Sequence, residues 1–249
     1  MHGTHDLFPT SAILSHSHGL NDHLRLSYQH LCFGRGSSRN SQVTGTDFRI
    51  GVLGSGTGSN CEAIIDACAS GRIRGRVALV LSDVADALVL ERARKRGIEA
   101  QFIGPSRFKT KLESELEDRA VTMLRDAGVG LVALAGYMRV VKPPMLGAFA
   151  GRIINVHPSL LPAFPGLRAW EQALQHGAKV TGCTVHFVDD GVDSGPIILQ
   201  QPVPIFANDT PKSLHQRIQV AEHDIYPEAI RLFAEGKLKI EGRVVRILE

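Results

Sequence analysis

From Phe48 onward, short apolar runs alternate with segments in which apolar residues recur every three or four positions. The first pattern is typical of buried strands and the second of amphipathic helices. The predicted strands are 49–53, 77–82, 99–103, 130–135, 152–155, 180–188 and 197–203. The predicted helices are 60–70, 85–96, 111–126, a short helix opened by Pro143 and Pro144, 169–176 and 211–233.

Strands and helices that alternate with short connections predict an α/β fold, with a Rossmann-like, mainly parallel sheet and helices on both faces. No linker divides residues 48–249, so we predict a single domain over this range. In such sheets ligands bind beyond the carboxyl ends of the strands. The turn after the first strand, the loop after Ala135 and the turn carrying Asn155 and His157 would all lie at that edge.

Residues 1–47 lack this periodicity and contain six histidines among Ser, Gly and Asn. This composition predicts an N-terminal extension that is mostly disordered. A His-rich tract can bind metal, and a Ser-rich leader can target an organelle. Acidic residues offset the arginines, however, and no Arg-rich amphipathic helix is present, so an inert extension is the favoured interpretation.

Composition narrows the class of protein. A net charge of +3 and a pI near 8.8 are only mildly basic, so no nucleic-acid partner is expected. No apolar run approaches the roughly 18 residues of a membrane span. We predict a cytoplasmic protein, monomeric or homodimeric, that acts on small molecules. Its four cysteines show no C-x-x-C pairing, which argues against a zinc knuckle or a disulfide framework.

A glycine-rich turn, residues 54–60, follows the first strand and opens the first helix. Backbone N–H groups at such a helix start form a natural phosphate site. The turn is not a Walker A loop, because no Gly-Lys-Ser/Thr follows it. As a dinucleotide fingerprint it is imperfect, since Ser59 stands at the position of the third glycine. The acid that would bind the ribose is also only loosely available, in Asp83. A plain tight turn is the alternative to phosphate binding.

Asn155, His157 and Asp193 carry the candidate chemistry. Residues at i and i+2 of a strand point to the same face, so the Asn155 amide and the His157 ring can aim at one oxygen. Such donors stabilise the alkoxide formed when an amine attacks a formyl carbonyl. A carboxylate such as Asp193 would stabilise the protonated ring and relay a proton through water. Each of the three residues alone also has a purely structural explanation. A metal site built from His157, His186 and Asp193 is possible, but the spacing of these residues matches no helix-borne zinc pattern.

Five ordered motifs lead to a family. They are GSN at 58–60, AGYMR at 135–139, NVHPSLLP at 155–162, DSGPI at 193–197 and QVAEH at 219–223. With them, the chain from Phe48 to its end resembles the phosphoribosylglycinamide formyltransferases of purine biosynthesis. The resemblance implies the formyltransferase fold and transfer of a formyl group from 10-formyltetrahydrofolate, the co-substrate, to the amine of 5'-phosphoribosylglycinamide, without a metal.

The resemblance also implies roles for individual residues. Gly58, Ser59 and Asn60 would bind the substrate phosphate, and Glu222 would orient its amine. Asn155, His157 and Asp193 would be catalytic. The folate would contact Met138, Arg139, Val140, Val141, Asn155, Asp189 and Asp193, the first four largely through backbone. Lys109 and Lys111 stand near the place where the family often has an arginine, so contacts to the folate glutamate tail stay open.

Other functions remain as alternatives. Methionyl-tRNA formyltransferase would need a nucleic-acid domain after Glu249. Formyltetrahydrofolate hydrolase would need a regulatory domain, for which residues 1–47 are too short and too polar. From other classes, a nicotinamide-dependent reductase would use the glycine turn for pyrophosphate, and a non-catalytic folate-binding module would bind without turnover.

Overall fold

The structure, a computed structural model, describes residues 47–249. The predicted N-terminal extension lies outside the described residues, apart from Asp47. The strands are β1 Arg49–Leu53, β2 Arg76–Ser82, β3 Ala100–Phe102, β4 Leu131–Leu134, β5 Ile153–His157, β6 Val180–Phe187, β7 Ile197–Pro204, β8 Leu238–Glu241 and β9 Val244–Ile247. The helices are α1 Ser59–Ala69, α2 Leu88–Lys95, α3 Ser114–Asp126, α4 Pro143–Ala148, α5 Ala169–Gln175 and α6 Pro211–Ala234.

All nine strands join one sheet in the order β3-β2-β1-β4-β5-β6-β7-β9-β8. The first five strands of this order are parallel to one another. β6 runs antiparallel to both β5 and β7, and a C-terminal hairpin of β8 and β9 extends the far edge. The predicted mainly parallel α/β class is confirmed, whereas the hairpin and the direction of β6 were not predicted.

Helices cover both faces of the sheet. Successive residues of a strand point to opposite faces, and buried apolar residues of β1 lie on both. Ile50 and Val52 of β1 belong to a buried cluster that includes residues of α1, α2 and α6. Leu53 belongs to a second cluster built with α3 and α4. Contact on this second face is close, since a Cβ at Gly51 would lie 2.4 Å from Leu124 Cδ2 of α3.

The long helix α6 is fixed at its start and near its middle. The Thr210 side chain accepts a hydrogen bond from the Ser213 backbone N–H, and the Ser213 hydroxyl accepts one from the Thr210 N–H, forming a capping box. The buried Tyr226 hydroxyl lies 3.1 Å from the carbonyl oxygens of both Leu134 and Ile154. The two Tyr226 contacts hold α6 against β4 and β5. Within residues 47–249, no helix combines the length and the apolar character needed to cross a membrane.

Candidate active site

A cleft of about 580 Å³ opens at the carboxyl edge of the parallel strands. It is bordered by the glycine turn, the loop after β4, the end of β5, the loop after β6 and one face of α6. Every residue predicted to bind or react lines it: Gly58, Ser59, Asn60, Met138, Arg139, Val140, Val141, Asn155, His157, Asp189, Asp193 and Glu222. The structure therefore brings together residues that are distant in sequence.

His157 is held from both sides of its ring at the end of β5. Its Nε2 lies 2.9 Å from the Phe164 carbonyl oxygen, and its Nδ1 lies 3.3 Å from Asp193 Oδ2. Both ring nitrogens thus face acceptors, and only the protonated imidazolium donates at both. The ring is almost completely buried, so its orientation is set by these two partners.

Asp193 occupies a left-handed backbone conformation, with φ at 50°, in the loop between β6 and β7. Asp and Asn tolerate this conformation better than other non-glycine residues. The Gly166 backbone N–H donates to Asp193 Oδ2 at 2.8 Å, and Oδ1 lies 3.8 Å from His186 Nε2. The carboxylate is therefore fixed between two histidines at the wall of the cleft.

Asn155 is oriented by a second histidine. The Asn155 amide lies 3.3 Å from His186 Nε2, while His186 Nδ1 lies 2.8 Å from the Phe187 carbonyl oxygen. Burial lowers the pKa of His186, which favours a neutral ring that donates at Nδ1 and accepts at Nε2. One amide hydrogen of Asn155 is then used by His186, and the other is available to a ligand.

The glycine turn forms the opposite end of the cleft. Gly58 is the N-cap of α1 with φ at 82°, and no side chain caps the helix. The first N–H groups of a helix have no intrahelical acceptors. They are free to bind an anion at the positive end of the helix dipole.

Glu222 lies beside this turn and is buried, although it is a charged residue of a long helix. The Asn60 side-chain amide donates to Glu222 Oε2 at 2.8 Å, while Asn60 Oδ1 is buried without a partner among the described residues. Burial raises the pKa of Glu222 to about 7, partly opposed by the Asn60 hydrogen bond. A buried acid that titrates near neutrality in a cleft is typical of a functional site.

The loop after β4 presents backbone rather than charge to the cleft. Met138 and, to a lesser degree, Val140 are exposed there, whereas the Arg139 guanidinium turns away and pairs with Asp83 Oδ2 at 2.6 Å. The Asp189 carboxylate is likewise used inside its own loop, accepting from Ser194 Oγ at 2.6 Å and from the Gly191 N–H. Side-chain contacts from Arg139 and Asp189 to a ligand are thus limited by these partners.

Comparison with known proteins identifies the family. Residues 48–230 match the model of the formyl transferase family, described as "Formyl transferase". The chain belongs to the formyl transferase family.

Among its relatives, the phosphoribosylglycinamide formyltransferase of Escherichia coli is 46% identical over 192 residues, covering 77% of this chain and 89% of that protein. The human trifunctional purine biosynthetic protein adenosine-3 is 41% identical over 204 residues, which are 81% of this chain and 20% of that protein. The crystal structure of glycinamide ribonucleotide transformylase 1 from Symbiobacterium toebii has 58% identity and a TM-score of 0.79, covering 82% of this chain and 96% of that one.

This formyl transferase family member also has cleft residues that the sequence did not point out. Trp170 of α5 and His215 of α6 both line the cleft, and their rings stack with centroids 3.8 Å apart and an angle of 8°. His215, Gln219 and Glu222 lie on one face of α6, because residues at i, i+4 and i+7 share a helix face. Only the family motif at 219–223, which contains Gln219 and Glu222, gave a signal for this face.

We expect the fluorescence of Trp170 to report the protonation of His215. Trp170 is the chain's single tryptophan, and a protonated imidazole in face contact quenches indole emission. Burial lowers the pKa of His215, so emission should fall on acidification with a midpoint below that of a free histidine. His215→Gln should abolish this transition, whereas His176→Gln should leave it unchanged. A transition that persists in His215→Gln would contradict the assignment.

Within residues 47–249, no group of three or more His, Cys, Asp or Glu side chains could hold a metal ion. The prediction that the reaction uses no metal remains a prediction. Cys61 and Cys183 are buried free thiols, and burial raises the pKa of each to about 12. They are unreactive by this criterion, since the thiolate is the nucleophilic form.

Proposed function

We propose that the protein transfers the formyl group of 10-formyltetrahydrofolate to the amine of 5'-phosphoribosylglycinamide, a step of purine biosynthesis. The observation that carries the proposal is the meeting of Asn155, His157 and Asp193 in one cleft with a free helix N-terminus. The names of the relatives support the glycinamide acceptor and the transfer of a formyl group. A cytoplasmic location and a monomeric or homodimeric state remain predictions.

The chemistry follows from the donors around His157. The substrate amine attacks the formyl carbon, and the carbonyl oxygen becomes an alkoxide. The free amide hydrogen of Asn155 can donate to that oxygen, and the His157 ring beside it, when protonated, supplies a nearby positive charge, because both residues line the cleft. The C–N10 bond of the folate then breaks as the new C–N bond is kept.

Proton transfer completes the balance of the reaction. The attacking amine loses one proton, and the departing N10 gains one. Asp193 stands 3.3 Å from His157 and close to the reacting carbon in this arrangement, so its carboxylate can hold a water that carries the proton between the two nitrogens. Asp193 also fixes the orientation of the His157 ring through the contact with its Nδ1.

The two ends of the cleft suit the two substrates. We assign the phosphate to the backbone N–H groups around Gly58, Ser59 and Asn60, and the amine to Glu222 beside Asn60. The folate would lie along the backbone of residues 138–141 and the loop containing Asp189. The open apolar surface of Met138 and Val140 is suited to a flat ring.

Release of tetrahydrofolate tests the proposal. With both substrates present, the enzyme should release tetrahydrofolate, and release should stop when 5'-phosphoribosylglycinamide is omitted. Release that continues without the amine would favour a formyltetrahydrofolate hydrolase instead. Consumption of NADH would favour a reductase, although the Asp83 carboxylate is already used by Ser55 and Arg139.

Glu222 should make the stability of the protein depend on pH in an unusual direction. Its pKa is about 7 in the folded protein, above its ordinary 4.5, so between these values the folded state holds a proton that the unfolded state has lost. The free energy of unfolding therefore falls as pH rises through this window and levels off above it. The decrease is on the order of 3 kcal/mol.

Chemical denaturation of Glu222→Gln tests this expectation. Glutamine can still accept from the Asn60 amide but does not titrate, so the decline between pH 4.5 and 7 should shrink relative to the wild type. Glu115→Gln, on the exposed surface of α3, is the control and should keep the wild-type decline. Equal pH dependence in wild type and Glu222→Gln would show that Glu222 is ionised with an ordinary pKa.

A further inference from the structure

A buried polar cluster, formed by Ser55, Asp83 and Arg139, joins the glycine turn to the loop after β4. The Ser55 hydroxyl donates to Asp83 Oδ1 at 2.6 Å and accepts from the Met138 backbone N–H at 2.9 Å. Asp83 Oδ2 accepts from Arg139 Nε at 2.6 Å. The Asp83 side chain is 3% exposed and that of Arg139 is 11% exposed, so water competes little for the bond between these two residues.

Arg139 extends the cluster to a third segment. Its guanidinium donates to the carbonyl oxygens of Phe108 and Lys111, the latter at 3.0 Å, and approaches Ser106 Oγ at 3.4 Å. The Val140 N–H also donates to the Thr110 carbonyl, and Thr110 itself lines the cleft. Arg139 therefore acts on the cleft by fixing loops, since its donors are directed at Asp83 and at backbone carbonyls.

The backbone is also fastened from the glycine side. The Ser55 N–H donates to the Gly136 carbonyl at 3.0 Å, next to the bond from the Met138 N–H to the Ser55 hydroxyl. Two consecutive links thus set the distance between the turn after β1 and the loop after β4. A ligand that binds the backbone of residues 138–141 therefore contacts a surface whose position depends on the Ser55 hydroxyl and the Asp83 carboxylate.

We propose that Ser55 and Asp83 are positioning residues for the folate substrate. They touch neither substrate, and they act by holding the backbone of Met138 and Arg139 in the geometry that the folate requires. The inference rests on the proposed function, because it takes the segment 138–141 as the folate side of the cleft. It predicts that substitutions in the cluster weaken the binding of 10-formyltetrahydrofolate and leave the binding of 5'-phosphoribosylglycinamide unchanged.

Steady-state kinetics of Ser55→Ala and Ser55→Thr tests this inference. Ser55→Ala should raise the KM for 10-formyltetrahydrofolate about tenfold, because it removes the hydroxyl that bonds both Asp83 and the Met138 N–H. The KM for 5'-phosphoribosylglycinamide should stay within about twofold of the wild type by the same criterion. Ser55→Thr keeps the hydroxyl and should restore the folate KM. A role in folding alone would lower the active fraction and leave both KM values unchanged.

Asp83→Asn provides a second variant and Asp66→Asn a matched control. Asp83→Asn keeps the shape but removes the charge that holds Arg139, so it should raise the folate KM as Ser55→Ala does. Asp66→Asn breaks a 2.7 Å ion pair with Arg96 on the exposed surface and should change neither KM. The inference is overturned if both cluster variants keep the wild-type folate KM, or if both KM values rise equally.

Folate binding, followed by the fluorescence of Trp170, tests this inference separately from the proposed function. Because Trp170 lines the cleft, its emission should change when folate binds, whether or not a formyl group is transferred. If the wild type transfers no formyl group, the proposed function fails. The positioning inference is tested independently by this titration. It stands if Ser55→Ala weakens folate binding, and it fails if the variant binds folate as the wild type does.

Discussion

Asp193→Asn and His157→Ala should each lower kcat about a thousandfold, the range observed for loss of a group that moves a proton or stabilises a transition state. The amide introduced by Asp193→Asn would keep an oxygen for the Gly166 N–H, so the loop geometry should survive. It would lack the negative charge that faces His157 Nδ1 at 3.3 Å. Initial rates at saturating levels of both substrates measure the effect.

The control for this prediction is Asp118→Asn, the same chemical change on the exposed surface of α3. It should have the wild-type kcat. Thermal melting of the variants distinguishes lost chemistry from lost folding, since Asp193→Asn should melt close to the wild type. A kcat within about tenfold of the wild type for Asp193→Asn would contradict its role in proton transfer.

Gly58→Ala should lower kcat/KM for 5'-phosphoribosylglycinamide on the order of a hundredfold, the usual effect of misplacing a binding group by about 1 Å. A Cβ at this position would lie 2.8 Å from Val89 Cα and Cβ. The alanine would also have to adopt φ at 82°, where side chains are strained. The start of α2 or the turn itself must move, and the N–H groups assigned to the phosphate move with it.

Gly71→Ala separates strain from the clash. Gly71 has a similar φ of 77°, but a Cβ there would meet nothing within 4 Å. The substitution should cost about 1 kcal/mol of stability, because the left-handed conformation disfavours alanine, and should leave the kinetics unchanged. Kinetics and denaturation of both variants test the pair. Equal kcat/KM values for 5'-phosphoribosylglycinamide in the two variants would contradict the assignment of the phosphate to the N–H groups of the glycine turn.

The fold could be predicted from the sequence where apolar periodicity specified it. The elements from β1 to α6 were placed within a few residues, because buried runs and helical spacing are local signals. The direction of β6 was not predicted, since the residues of a buried strand do not specify whether it runs parallel or antiparallel to its neighbours. The hairpin of β8 and β9 was missed because its strands are only four residues long and mostly exposed, so burial leaves little signal in the sequence.

Members of the candidate site could be proposed from the sequence where residue type implied chemistry, and less so where their arrangement depended on packing. Asn155, His157 and Asp193 could be selected as a set because their groups suit acyl transfer. The burial of Glu222 could not be foreseen, because charges on long helices are usually exposed. The pairing of Arg139 with Asp83 joins residues 56 positions apart and has no local signature.

Direct passage of the formyl group from folate to the substrate amine can be followed in a single turnover. The formyl carbon is labelled with carbon-13, and the products are identified by NMR. The label should appear in the formamide of 5'-phosphoribosylglycinamide, at a rate that Asp193→Asn lowers strongly. If the wild type instead releases the label as free formate, at the same rate with and without the amine, the protein is not a transferase of this kind.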